Sequence, residues 1–563
     1  MKRVKNISSL CPRIADDPDM SRGLAVIAFI FVLSVVLPQA AAQLKNGGMP
    51  HLEKNETATR LFVDGKPFLV LGGELGNSSA SDMGYLRPYW NNFGEMRLNT
   101  LIVPAYWESI EPSEGGFNFT LIDSVVLAAR RRDLKIIFLW FGTWKNSMSC
   151  YVPLWIKTNE ERFPRARTKD GSALEILTPF SRESRDADAK AFAALMKHIR
   201  TIDSGWNTVI MVQVENEIGM TPEARDYSPE ANMAFNDDVP RELIKYMERH
   251  KDSLAPALKK SWEDNGFKTT GTWQQVFGPG LSTDEFFMAW YFGKYADYVA
   301  AAGKSEYPLP MYVNAALIRP GYEPGQYPSA GPLPHLFDIW RAAAPHIDIF
   351  APDIYFANFA EWIGKFDTRG NPLFIPECAN SQSVADAFFA FGEHNAIGFS
   401  PFSIESLEDP EHNQISQGYK VLRELAPSIL MNEGKGTMVG ILLDSASQET
   451  EFTLGDYVFS VRHEYAWRFA PHEPGPTPRV GGLVVALSPD EFIIAGTGML
   501  VTFKTREGGS LKAGIGTDVQ GEFVDGTWKP GLVLNGDQTN QGRQVFLPGG
   551  EFTIQRVRLY SYK

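Results

Sequence analysis

The chain has 563 residues, of which 44% are hydrophobic and 21% charged; it can bury substantial cores and is too long for one compact unit, so two domains, one of them large, are expected. A formal charge of −13 argues against a phosphate-backbone partner, because nucleic-acid binding needs a clustered basic face. A neutral or cationic substrate fits better.

In chain order, the first element is an apolar run at 24–36, short for a membrane span, followed by Leu37-Pro38-Gln39-Ala40-Ala41-Ala42-Gln43 with small residues at cleavage-type positions. Residues 1–42 are read as a secretory signal, with Met20 as a second candidate start, and the mature protein as exported, periplasmic or extracellular, without stable membrane insertion. Cys11 falls in that segment, leaving Cys150 and Cys378, too few for a disulfide framework. No Cys-x-x-Cys or His-x-x-x-His spacing suggests zinc.

Residues 60–63 and 67–71 flank Asp64-Gly65-Lys66, a hairpin signal whose second arm reads as the first strand of a barrel. Apolar runs recur at 100–107, 135–141, 208–217, 310–316, 348–355, 372–377 and 396–403, making eight with 67–71. Runs such as Leu101-Ile102-Val103 and Ile136-Ile137-Phe138-Leu139 lack alternation, as strands buried on both faces of a parallel sheet do. Helical periodicity fills stretches between them, such as 122–132 and 186–199. The expected fold class is α/β, a (β/α)8 TIM barrel over 43–427. The competing open doubly wound sheet lacks a G-x-G-x-x-G turn after its first strand.

About 90 residues separate the fourth and fifth strands, far above the usual connection length. This insertion carries Trp262, Trp273, Phe286, Phe287, Trp290 and Tyr291, which either offer flat faces to sugar rings or, as favoured, pack its own helices. Residues 428–563 carry short β-rich segments with turn residues between them, a smaller all-β sandwich. The stretch 470–478 is too proline-rich for a central strand.

Two carboxylates fall where barrel strands emerge: Glu217 in Gln213-Val214-Glu215-Asn216-Glu217 on the fourth strand, and Glu377 in Ile375-Pro376-Glu377 on the seventh. Reacting groups of such barrels sit at the C-terminal strand ends, and two carboxyl groups roughly 5 to 5.5 Å apart cleave a glycosidic bond with retention. Asn216, beside the acid, is placed to bond a substrate 2-hydroxyl, and Tyr355, ending the sixth strand, to donate to Glu377. Period-2 alternation puts Glu215 on the same inward face as Glu217, one layer deeper, in a structural role.

The string Val212-Gln213-Val214-Glu215-Asn216-Glu217-Ile218-Gly219 closely resembles the V-Q-V-E-N-E-Y-G motif of glycoside hydrolase family 35, the β-galactosidases of the large (β/α)8 glycosidase clan, in a compact bacterial form. Asn99-Thr100, Trp107 and Glu111-Pro112 match the spacing of that family's second-strand stretch. The chain departs at Gly72-Gly73-Glu74-Leu75-Gly76-Asn77, where many members carry S-G-E-x-H-Y, and at Pro104, Glu108 and Ile110. The resemblance implies that Glu217 is the acid/base and Glu377 the nucleophile of a retaining exo-β-galactosidase. Glu74, Tyr106 and Glu108 become candidate contacts with sugar hydroxyls, or braces of the barrel rim. No metal or organic cofactor is implied; the partner is a β-galactoside oligo- or polysaccharide, plant cell-wall material being one source. Other retaining glycosidases of the clan, including a β-glucosidase, a β-mannosidase or a family 42-like enzyme, share this pattern, as does a non-catalytic sugar-binding barrel.

Overall fold

The computed structural model describes residues 48–563 apart from 56, 369, 380–382, 465–477 and 508–509. The expected signal segment, Met20, Cys11 and nearly all of the proline-rich stretch 470–478 lie outside the described residues.

Eight parallel strands close into a barrel in sequential order: β1 (Val70–Glu74), β2 (Thr100–Tyr106), β3 (Lys135–Lys145), β4 (Val209–Asn216), β5 (Met311–Ala316), β6 (Ile349–Ile354), β7 (Phe374–Cys378) and β8 (Gly398–Pro401). Every position of β2, β3 and β4 is buried, which is why their sequences run apolar without alternation. The hairpin differs from expectation. Asp64 and Gly65 adopt the paired positive φ of a tight turn, 54° and 73°, but its second arm is only Lys66–Pro67. Pro67 has no N–H to extend the ladder, and the barrel strand begins at Val70. β3 in turn runs past Phe141 to Lys145.

Outside the wall lie α1 (Arg182–Asp203) and α2 (Leu281–Glu306), which meet where Gly303 approaches the Phe192 ring and Met196. Shorter helices, Pro229–Asn236, Arg241–Arg249, Pro256–Asp264 and Trp273–Phe277, fill the insertion between β4 and α2. Trp262, Trp273, Phe286, Phe287 and Trp290 are buried. The Phe287 ring is surrounded by those of Phe180, Phe235, Trp273 and Tyr291. These aromatic residues therefore form the insertion's core and offer no open face to a sugar.

After α3 (Ser383–His394), helix α4 (Gln414–Asn432) continues through Pro427 and leads into two antiparallel sheets. The larger contains β9 (Met438–Leu443), and the strands Val480–Ala486 and Glu491–Gly496 lie inside it. Alternate residues of these inner strands divide their burial: Leu483, Val485, Ile493 and Ala495 join the barrel's core, while Val484, Phe492 and Ile494 fill the sandwich. The backbones of α3 and β9 touch, so that a Cβ on Gly440 would stand 2.6 Å from the Glu393 nitrogen. Cys150 and Cys378 are free thiols, and no helix among the described residues is long and apolar enough to cross a membrane.

One ion pair crosses this contact: Arg479 donates from one nitrogen to both Asp386 oxygens, at 3.0 and 2.8 Å, and from another to the Ala357 carbonyl. Both side chains are over nine-tenths buried. Arg479→Met leaves the Asp386 carboxylate buried and uncompensated, and should lower the unfolding free energy in urea by about 3 kcal/mol. A loss below about 1 kcal/mol, the range of an exposed pair, would contradict this account of the junction.

Candidate active site

The mouth of the barrel is built at the end of β4. Glu215 and Glu217 both adopt left-handed backbone, φ 62° and 44°, a conformation costing about 1–3 kcal/mol per residue and kept only where its surroundings enforce it. They do so here. The Glu217 N–H donates to Asn314 Oδ1 at 2.9 Å, and its carbonyl accepts from the Ser147 N–H at 3.1 Å. Its carboxyl accepts from Asn146 Nδ2. Asn314, on β5, also donates to Asp353 on β6 at 2.6 Å, and Asp353 stands beside Glu377 in the parallel register of β6 and β7.

Across the mouth, the Glu377 carboxyl accepts from Tyr355 Oη and shares a hydrogen bond with Glu74 at the end of β1. Lys145, at the end of β3, is buried and donates to Asn146 Oδ1. Polar atoms of Ser147, Asn216 and Tyr312 are buried here without a protein partner. Neither end of the Asn216 amide has one. Buried polar groups are ordinarily satisfied, so these atoms mark places for the hydroxyls of a ligand or for water.

Burial is the largest influence on every carboxyl group of the site, and it favours the neutral form. It raises Glu217, opposed by the Lys145 ammonium and by hydrogen bonds from Asp353 and Asn146. Burial, then the charge of Glu217, pushes Glu377 up to about 7, against Lys145, Tyr355 and Glu74. Glu74 and Asp353 are held well above the usual carboxylate range by burial and by their acidic neighbours, toward the neutral form that can donate an O–H.

Not every candidate reaches the mouth. Asn216, Tyr355 and Glu74 do. Tyr106 is buried against the rings of Phe141 and Tyr151. After β2 the chain turns into the short helix Trp107–Ile110, which carries Glu108 to a half-exposed pair with Lys157 at 3.4 Å. Glu215 corrects the alternation argument: its positive φ turns the side chain out of the barrel toward Asp188 on α1. Lys145, Asn146, Asn314 and Asp353 were not anticipated. Asn314 and Asp353 stand out in the sequence as polar residues inside apolar runs, whereas Lys145 and Asn146 follow the stretch that reads as a strand.

Residues 90–291 match the glycoside hydrolase 42 family model, described as Beta-galactosidase. Residues 415–546 match a model described as Domain of unknown function (DUF5597). No curated protein matches the chain. Solved structures of similar architecture include Gan42B, a GH42 beta-galactosidase given as "from G.", with TM-score 0.48, 11% identity, and 87% of this chain and 98% of that one covered. The beta-galactosidase of Marinomonas ef1 is 12% identical at TM-score 0.44, covering 64% of this chain and 60% of that one. That of Bacillus circulans sp. alkalophilus is 13% identical at TM-score 0.45, covering 64% and 57%. This chain thus spans about 60% of the length of the Marinomonas protein. Part of the barrel thus matches a glycoside hydrolase model. The matched family is 42, where the string around Glu217 resembles 35; both are described as β-galactosidases. The match contains Glu217 and ends before Glu377.

Because the Lys145 ammonium lowers both Glu217 and Glu377, Lys145→Met should raise both. In the nucleophile's role expected from the sequence Glu377 must be ionised, so the acid limb of kcat/KM should move to higher pH, by about one unit. An unmoved limb in a folded variant would sink this electrostatic role.

Proposed function

We propose that the protein is a retaining exo-β-galactosidase that releases terminal non-reducing β-D-galactose through a covalent galactosyl-enzyme. The observation that carries this reading is the pair of buried carboxyl groups at strand ends, Glu217 just past β4 and Glu377 on β7, linked through Asn314 and Asp353 on the two strands between them. The family match to a β-galactosidase model and the motif around Glu217 support the choice of galactose. Either family, 35 or 42, is compatible with the same pair.

In the first step a Glu377 oxygen attacks the anomeric carbon while protonated Glu217 gives its proton to the departing glycosidic oxygen; the C–O bond to the aglycone breaks as the ester to Glu377 forms. The hydrogen bond from Tyr355 opposes the burial that raises Glu377 and so favours the ionised nucleophile, while burial pushes Glu217 toward the protonated acid. The free Asn216 amide is placed to bond the 2-hydroxyl, a contact that strengthens as the ring gains oxocarbenium character. Glu74 and Asp353, raised toward their neutral forms, hydrogen-bond to Glu377 and Glu217 respectively. In the second step Glu217, now a carboxylate, takes a proton from water, whose oxygen displaces Glu377 and restores the β configuration. This chemistry calls on no metal or organic cofactor. The apolar run at 24–36 with the small residues after it supports an exported enzyme, periplasmic or extracellular. We place galactose-capped oligosaccharides of the plant-wall kind among its substrates.

Hydrolysis of nitrophenyl β-D-galactoside, with the glucoside and mannoside as comparators, tests the sugar. Glu377→Gly should lose at least about a thousandfold in rate, and added azide should restore turnover and yield the α-galactosyl azide. Preference for the glucoside or mannoside would overturn the galactose assignment, and failure of azide to rescue would remove Glu377 from the nucleophile's role.

A further inference from the structure

The left-handed turn at Glu215 places a second pair of acids behind the first. On the helix side of the barrel wall the Glu215 side chain is fully buried. One of its oxygens accepts from the Trp144 N–H at 2.7 Å. The other lies against the carboxyl group of Asp188 on α1. Asp188, also fully buried, is ringed by donors: Trp140 Nε1 at 2.8 Å, the Thr143 N–H at 3.2 Å and Thr143 Oγ1 at 2.5 Å. Tyr295 of α2 hydrogen-bonds Thr143 Oγ1 at 2.7 Å and reaches Asp188 at 3.4 Å.

Two acceptors in contact need one proton between them. Donors gather around Asp188, including two side-chain donors, Trp140 Nε1 and Thr143 Oγ1, which suits the anion, whereas Glu215 meets only the backbone amides of Trp144 and, shared with Asp188, Thr143, and turns its other oxygen to Asp188. The proton therefore belongs to Glu215. Burial and the neighbouring Asp188 charge both act in that direction on Glu215. The titratable groups facing the pair are Asp188 itself and Tyr295, whose hydroxyl burial keeps neutral.

What the pair holds is the tail of β3. The successive amides of Thr143 and Trp144 are taken by Asp188 and Glu215 in turn. Directly beyond them, Lys145 enters the mouth, the Asn146 N–H donates to the Asn216 carbonyl at 3.2 Å, and Asn146 Nδ2 donates to the Glu217 carboxyl. We propose that Glu215, as a neutral carboxylic acid hydrogen-bonded to the Asp188 carboxylate, is a positioning residue that sets the β3 tail so that Asn146 and Lys145 meet the Glu217 carboxyl. This rests on Glu217 being the acid/base.

The test separates positioning of the acid from general damage by using two aglycones. Phenyl β-D-galactoside needs its leaving oxygen protonated, and dinitrophenyl β-D-galactoside does not. Glu215→Ala should lower kcat/KM at least about thirtyfold for the phenyl substrate, within the usual worth of a general acid, and no more than about threefold for the dinitrophenyl one. Glu215→Gln, whose amide N–H can replace the acid proton toward Asp188, should restore the phenyl rate to within about fivefold. Equal losses on both aglycones, or no rescue by glutamine, would overturn the inference. Infrared difference spectra of wild type against Glu215→Gln provide a readout independent of turnover and of the alanine variant's folding. The difference spectrum should show the carbonyl stretch of one protonated carboxyl lost in the variant, and a difference spectrum without that loss would overturn the proposal. If wild type cleaves neither galactoside, the galactosidase reading fails by itself, and the infrared band still decides whether the shared proton exists.

Discussion

Glu74, Glu217, Asp353 and Glu377 are buried together around the Lys145 ammonium. Four carboxylates cannot all keep their charge in such a place, because an uncompensated buried ion costs several kcal/mol even after the surroundings relax. Burial and acidic neighbours push Glu74 and Asp353 well above the usual carboxylate range, toward a form that donates where a carboxylate would only accept. The remaining charge is then decided jointly by Glu217 and Glu377, which titrate as a pair rather than as independent acids. A chemistry that needs one protonated and one ionised carboxyl group near neutral pH starts from that shared state.

That arrangement depends on an irregular strand end. A regular β4 would point Glu215 inward and crowd a fifth carboxyl group into the mouth. The left-handed residues at 215 and 217 send it instead into the layer between wall and helices, where Asp188 and the β3 amides receive it. The cost of the turn is offset by hydrogen bonds from three directions: Asn314 on β5, Ser147 after β3, and Trp144 within it. The outer helices α1 and α2 thus reach the tail of β3, through Asp188 and Tyr295, without lining the site.

The sandwich plays a different part. The inner strands of its larger sheet are apolar on both faces, one turned to its partner sheet and the other to the barrel, and the glycines at 392 and 440 let the two backbones touch. A face of that kind cannot be left to water without exposing a large apolar patch, so the module acts as a buttress of the barrel.

Much of this was legible in the chain itself. Strands buried on both faces must be apolar at nearly every position, so eight runs announced the barrel and its order, and Glu217 and Glu377 were visible as acids closing two of them. Tertiary structure decided what surrounds those acids. Alternation predicts a side chain's face only while φ stays negative, and so Glu215 could not be placed. β3 continues past its apolar run, and so Lys145 and Asn146 gave no sign of reaching the site; Tyr106 and Glu108 were diverted by the turn that follows β2. Asn314 and Asp353 were present inside predicted strands, but Asp353 becomes a neighbour of Glu377 only through the register of β6 against β7. The sequence by itself determined which residues could be buried and where charge would emerge, because burial is written in composition and period. The closed barrel alone decided which charges face one another, because that depends on register and on a backbone turn that no local pattern encodes.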